Sequence, residues 1–246
     1  MCLCQKAVQK DVCTFADRPS ALSPSAEGRS VNWTGPLGEA ATIAQVLLLE
    51  YANGFPSEQV GWGRASTAEA VIRLSELRKI KYEYQERVPY IARRGASNIL
   101  NQILLALEAG AGMNPADADK ALLDASLVLF IGSDTQIAEI GGILDAHWQL
   151  KGYLDDETPP GGGLVFELLQ EPATGARFVR LVFVAQTLDQ IRAASALGAS
   201  NPPNYVTVTG LGCPGARPDG ACPVESFVKL ARSKMDMTAV AKPAYH

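Results

Sequence analysis

The 246-residue sequence predicts an α/β protein that opens with a helical part, and three observations carry that expectation. Before Met113-Asn114-Pro115 the apolar residues recur at helical spacing. After it come short β-branched and aromatic runs with turn residues between them. One of those runs, Leu127-Val128-Leu129-Phe130-Ile131, stops at Gly132 and is followed by Ser133-Asp134-Thr135-Gln136, residue types that cap a helix. The change of pattern divides the chain into a helical part, 1–115, and an α/β part, 116–246.

In the first part, 38–51 carries Ile43, Val46 and Leu47 on one helical face, and 65–84 does the same with Val71, Leu74 and Leu77. A third helix is expected over 88–109. In the second part, 127–131 reads as a buried strand, followed by a helix from Ile137 to about Trp148 capped by Ser133 or Asp134. The Pro-Gly-rich stretch 155–162 reads as a mobile connection. A hairpin pairs 163–169 with 178–185, and a helix starts at Thr187. A short strand at 205–209 and a closing helix at 224–233 complete the order.

Composition narrows the function classes. A net charge of −4 and a pI near 5.3 give no basic footprint for nucleic acid. The longest apolar runs, 127–131 and 181–185, are too short to cross a bilayer, and the N-terminus lacks the pattern of a signal peptide. Neither nucleic acid nor membrane is therefore an expected partner.

Of five cysteines, Cys213 and Cys222 bracket the turn-rich Pro214-Gly215-Ala216-Arg217-Pro218-Asp219-Gly220-Ala221 and read as a disulfide clip. Zinc is the competing reading, but close Cys-x-x-Cys pairs are absent and the only histidines are His147 and His246, so no metal site is expected. Cys2 or Cys4 could close another short loop with Cys13. Such bridges imply maturation in an oxidising compartment.

The corner at Gly132-Ser133-Asp134-Thr135 is the candidate site. In open α/β sheets ligands bind beyond the carboxyl ends of strands, beside helix N-termini that favour anions. A plain capped turn is the alternative.

Four motifs in register carry a family resemblance: Gly132-Ser133-Asp134-Thr135-Gln136, Asp145-Ala146-His147-Trp148-Gln149-Leu150, Thr158-Pro159-Pro160-Gly161-Gly162-Gly163-Leu164-Val165-Phe166-Glu167, and Val184-Ala185-Gln186-Thr187-Leu188-Asp189-Gln190-Ile191-Arg192. Together they resemble the C-terminal half of bacterial histidine acid phosphatases of the phytase and glucose-1-phosphatase branch. Gly61-Trp62-Gly63-Arg64 and Tyr90-Ile91-Ala92-Arg93-Arg94 resemble that branch's helical insert, so the likeness runs from about Cys2 to Arg232. It implies a phosphoglycerate mutase-like α/β sandwich with a helical insert, lacking its N-terminal strands. It also implies a disulfide between Cys213 and Cys222, an earlier one between Cys2 and Cys13, and a periplasmic or secreted location.

The resemblance implies a chemistry as well. A histidine in an Arg-His-Gly-x-Arg-x-Pro motif attacks the phosphorus of a monoester, arginines hold the phosphate oxygens, and the Asp of a His-Asp motif protonates the leaving alcohol; no metal ion or cofactor takes part. By match Asp134 is the proton donor, Thr135 a phosphate contact, and Arg87 a substrate-side arginine from the insert, with a solvated helix-end arginine as its alternative. Ser133 stands where the family has the histidine of His-Asp, and its hydroxyl can donate one hydrogen bond but carry no charge. No Arg-His-Gly occurs in the sequence, so the nucleophile is missing. His147 is expected to be a packing or surface residue. A phosphomonoester or phosphate anion is the expected ligand, and a missing N-terminal segment or a second copy the expected partner. The alternative is a non-catalytic pseudoenzyme that binds anions or other proteins.

Overall fold

A computed structural model describes residues 18–26, 31–113, 115–123 and 125–241. Cys2, Cys4 and Cys13, with the N-terminal disulfide expected for them, lie outside the described residues. The chain forms two compact units, 1–85 and 86–246.

In the first unit, β1 (Ala21–Pro24) pairs antiparallel with β2 (Val31–Thr34), a hairpin not foreseen from the sequence. Gly35, at φ 89°, turns the chain into α1 (Pro36–Ala52), whose first residue has no amide hydrogen to leave unsatisfied. The buried face of α1 is Ala41, Ala44, Leu48 and Tyr51. Ile43 and Val46, the face expected inside, are about half exposed. Two alanines allow a closer approach of α2 (Ala68–Leu74) and α3 (Glu76–Gln85) than branched side chains would. The expected helix over 65–84 is thus two helices. The break falls at Ser75, whose buried hydroxyl donates to the Val71 carbonyl at 3.3 Å and competes with the helical ladder. The Thr67 hydroxyl caps α2 by accepting from the Ala70 amide, 3.2 Å.

The second unit starts ahead of the pattern change, because α4 (Pro89–Gly110) packs on elements that follow it. It lies against α6 (Asp134–Leu144) and α8 (Val224–Lys234), with the short α5 (Lys120–Leu123) after its C-terminus. Glu108, 6 % exposed on α4, accepts two hydrogen bonds from Arg232 of α8, at 2.9 and 2.6 Å. The Ser97 hydroxyl accepts from the Asp236 amide at 2.9 Å, and Lys234 Nζ donates to the Leu144 carbonyl, the last of α6, at 2.7 Å.

The larger sheet is antiparallel. β4 (Arg177–Ala185) pairs with β3 (Gly163–Gln170) on one side and with β5 (Asn204–Thr207) and β6 (Cys222–Pro223) on the other. The expected hairpin is present, and its register pairs Leu164 with Phe183. Val179, Leu181 and Phe183 of β4 alternate into the core with Phe227 of α8, and Trp148 stacks on Phe183 with centroids 4.8 Å apart. α7 (Leu188–Arg192) is short, and Thr187 caps it.

Three further expectations are corrected. Residues 127–131 belong to no strand among the described residues, and Leu127, Leu129 and Ile131 are 85 %, 78 % and 91 % exposed. No described strand lies alongside to take up their backbone groups, so the run is an unpaired extended segment. The helix after it starts at Asp134 and stops at Leu144, because Asp145 adopts the left-handed conformation at φ 59°. The 155–162 loop is a packed part of the core rim: Glu157 and Thr158 are 2 % and 4 % exposed, and the Trp148 indole donates to the Glu157 carbonyl at 2.7 Å.

Candidate functional site

Ser133 sits at the N-cap of α6 in extended geometry, and Gln136 reaches back to it. Gln136 Oε1 accepts from the Ser133 amide at 2.8 Å and from the Ser133 hydroxyl at 2.7 Å. Asp134 opens the helix, and its Oδ1 accepts from the Thr135 amide at 2.9 Å. Ser133, Asp134 and Thr135 are therefore together at the positive end of an eleven-residue helix. The Ser133 hydroxyl and the Thr135 amide are engaged by neighbouring oxygens, so an incoming anion must displace the Gln136 and Asp134 oxygens to use them.

Beside this corner runs a groove of about 660 Å³. It is lined by the unpaired segment through Ser133, by Ile103 and Leu107 of α4, by Ile137 and Ile140 of α6, and by β3. Gly132, Ser133 and Gln136 of the corner are among its lining residues.

Arg87 is placed elsewhere. It is 8 % exposed, donates to the Ala146 carbonyl at 2.8 Å and lies 3.3 Å from Asp156 Oδ2, with its guanidinium 5.5 Å from the Trp148 ring centroid. Gly141 and Gly142 make room for it, since a Cβ on either would collide with Arg87. These contacts lie two turns along α6 from Asp134, about 10 Å. The structure does not bring Arg87 to the corner, nor is it the solvated helix-end arginine weighed as the alternative.

His147 is half exposed. Its Nδ1 donates to Asp156 Oδ2 at 2.7 Å, its Nε2 lies 3.5 Å from Asp145 Oδ1, and its backbone bridges to Thr209. Asp156 thus serves Arg87, His147 and, through Oδ1 at 2.9 Å, the Trp148 amide. Asp156 falls in the stretch expected to be a mobile loop; its signal is the Asp-Asp-Glu run a few residues after Trp148.

Glu139 was also missed. It is 5 % exposed on α6, its carboxyl faces Gly95 of α4 where a Cβ would leave it no room, and its Oε2 has no hydrogen-bond partner. Burial, then the charge of Glu86, pushes its pKa up to about 8. Cys213 and Cys222 form the disulfide, Cα to Cα 6.1 Å, and Cys222 pairs with Val179 in the sheet. No group of His, Cys, Asp or Glu among the described residues could hold a metal ion, and no helix among them is long and apolar enough to cross a membrane.

The model of the histidine phosphatase superfamily (branch 2) fits residues 32–184, and the chain belongs to that superfamily. Its relatives place it in the phytase and glucose-1-phosphatase branch. It is similar to phytase AppA of Escherichia coli strain K12, 32% identical over 93% of this chain and 52% of that protein. The glucose-1-phosphatase of Providencia rettgeri is 28% identical over 94% of this chain and 53% of its own length. The solved Hafnia alvei phytase in complex with tartrate superposes with a TM-score of 0.83 at 33% identity, covering 93% of this chain and 55% of that one. The chain spans about half the length of the curated relatives it matches.

Proposed function

We propose that this chain carries the acid half of a phosphomonoester hydrolase site acting on a phosphomonoester of the phytate or sugar-phosphate class. The observation that supports the reading is Asp134 at the N-terminus of α6, where a carboxyl group stands beside the helix end that attracts phosphate. In this reading Asp134 protonates the leaving alcohol as its P–O bond breaks, while Ser133 and Thr135 hydrogen-bond the phosphate oxygens. Arg87 stays outside the substrate contacts and holds the C-terminal part of α6.

No Arg-His-Gly occurs in the sequence, and in this reading the nucleophilic half, a histidine that forms the P–N bond which water then hydrolyses, lies outside it. The reading assigns it to further polypeptide, of the same protein or of a partner chain. The 246-residue chain alone is accordingly expected to be inactive. The test is hydrolysis of p-nitrophenyl phosphate and of phytate at acid pH. No turnover is expected from the chain alone; clear turnover that Asp134→Asn abolishes would overturn the expectation that the nucleophile lies outside this chain, and turnover that Asp134→Asn leaves unchanged would overturn the role given to Asp134.

A second reading, a pseudoenzyme that binds anions or other proteins, is favoured by Ser133 in place of histidine and by the occupied donors of the cap. The two differ when an Arg-His-Gly-bearing segment is supplied. The first reading expects Ser133→His to raise turnover in that assembly, and the second expects none with either residue. By resemblance, and in keeping with the Cys213–Cys222 bridge, the location is periplasmic or secreted. Alkylation of thiols before and after reduction, on protein taken from the native host, reports it.

A further inference from the structure

We propose that His147 is a proton-operated clasp at the C-terminal end of α6: as imidazolium it bonds Asp145 and Asp156 at once, and as neutral imidazole it lets Asp145 go. The clasp uses none of the residues at the Ser133–Thr135 corner and stands apart from the catalytic reading.

Asp156 Oδ2 is an acceptor, so at 2.7 Å the ring nitrogen Nδ1 carries a hydrogen toward it. A neutral imidazole has one such hydrogen for its two nitrogens, and Nε2 is left with a bare lone pair. That lone pair faces a second acceptor, Asp145 Oδ1, at 3.5 Å. In the neutral ring the contact is repulsive; a proton on Nε2 turns it into a charge-assisted N–H···O contact. The Asp145 side chain is 74 % exposed and closes the remaining gap by rotation.

Three charged groups face the ring. Asp145 comes from the end of α6, Asp156 from the 155–162 loop, and Arg87 from the turn before α4, its Nη2 3.4 Å from Nδ1. Thr209 and Gly210, which also lie against His147, bring no charge. Arg87 opposes the imidazolium, but Asp156 Oδ2 stands 3.3 Å from it and offsets that charge. Asp145 has the other claim. It sits just past the last turn of α6, the negative end of the helix, where a carboxylate is unfavourable and a histidinium favourable. Lys234 Nζ, on the Leu144 carbonyl at 2.7 Å, is the other cation at that end.

The frame around the ring is built. Asp145 and Asp156 both hold the left-handed conformation, at φ 59° and 57°, and backbone of that kind collects at sites that use it. Gly210, at φ 85°, comes so close that a Cβ there would meet both the Asp145 carbonyl and His147 Cδ2. Asp156 also accepts from the Trp148 amide at 2.9 Å, so it stays in place whichever form the ring takes. A histidine changes charge between about pH 5 and 8. Because the clasped form is the one that binds the proton, the clasp is complete at the acid end and is lost as pH rises.

Hydrogen exchange of residues 144–148 tests this on the 246-residue chain and on Asp145→Asn, each at about pH 5 and about pH 8. Comparing two proteins at one pH cancels the intrinsic chemistry of exchange. Asparagine accepts the left-handed conformation, so circular dichroism of the variant should match the parent. At the acid pH the parent is expected to exchange at least about threefold more slowly than the variant, and at the alkaline pH no more slowly. A ratio that is the same at both pH values, or no difference at the acid one, overturns the proposal. Nitrogen-15 shifts of the ring need no change at Asp145, and His246→Ala leaves His147 the sole histidine. They should show hydrogen on Nδ1 alone at the alkaline pH and on both nitrogens at the acid one. A neutral ring with its hydrogen on Nε2 would already bond Asp145 without a second proton, and that result overturns the clasp as well.

Discussion

At the scale of single residues, two buried ionisable groups dominate. Glu139 holds its proton to about pH 8 in the fold, against about 4.5 when unfolded. Between those values the folded chain binds a proton that the unfolded chain does not, so stability declines as pH rises through this window. Urea denaturation at a series of pH values is expected to show that slope, and Glu139→Gln to flatten it and stabilise the protein at neutral and alkaline pH. Arg87 is the opposite case, a buried charge with its partner in place, since its side chain and that of Asp156 are 6 % and 7 % exposed. Arg87→Ala leaves Asp156 with only a half-exposed histidine and a backbone amide, and the expected loss is about 3–5 kcal/mol in the same measurement. Neither role was legible in the sequence. Glu139 is buried because α4 presents Gly95 to it, and a residue's burial by another helix leaves no mark in its own helix.

At the scale of elements, the start of α6 was legible and its end was not. Ser133 with Gln136 three residues on is a capping spacing that can be read directly, whereas termination at Asp145 depends on a left-handed conformation that the sequence does not announce. Helices with their own apolar period, such as α4, were found nearly to the residue. The 127–131 segment was misread because a strand is a relation between two segments, and the sequence displays only one of them. Helix α6 carries a packing prediction. Gly142→Ala would drive a methyl group into the Arg87 backbone, and a destabilisation of about 1–3 kcal/mol is expected in thermal melts, with near-ultraviolet circular dichroism of Trp148 altered.

At the scale of the whole molecule, the cysteine clip was the long-range feature most plainly written in the sequence, because a turn-rich loop between two cysteines needs no other part of the chain to bring them together. Reducing it frees a loop whose ends are nine residues apart, and about 2–3 kcal/mol of stability is expected to go, read as a lowered denaturant midpoint with dithiothreitol present. The contact division at 85/86 was illegible for the converse reason: α4 belongs to the second unit through elements that come later in the chain, α6 above all, and through the Glu108–Arg232 pair.

That pair has a bearing on how the protein meets a protease. Proteases take their substrates as exposed, extended chain, and 127–131 offers that form without any unfolding. A cut there falls between α4 and α8, yet Glu108 still grips Arg232 and Ser97 still holds the Asp236 amide across it. The nicked protein should therefore run as one species in a native gel and as two fragments only once it is denatured.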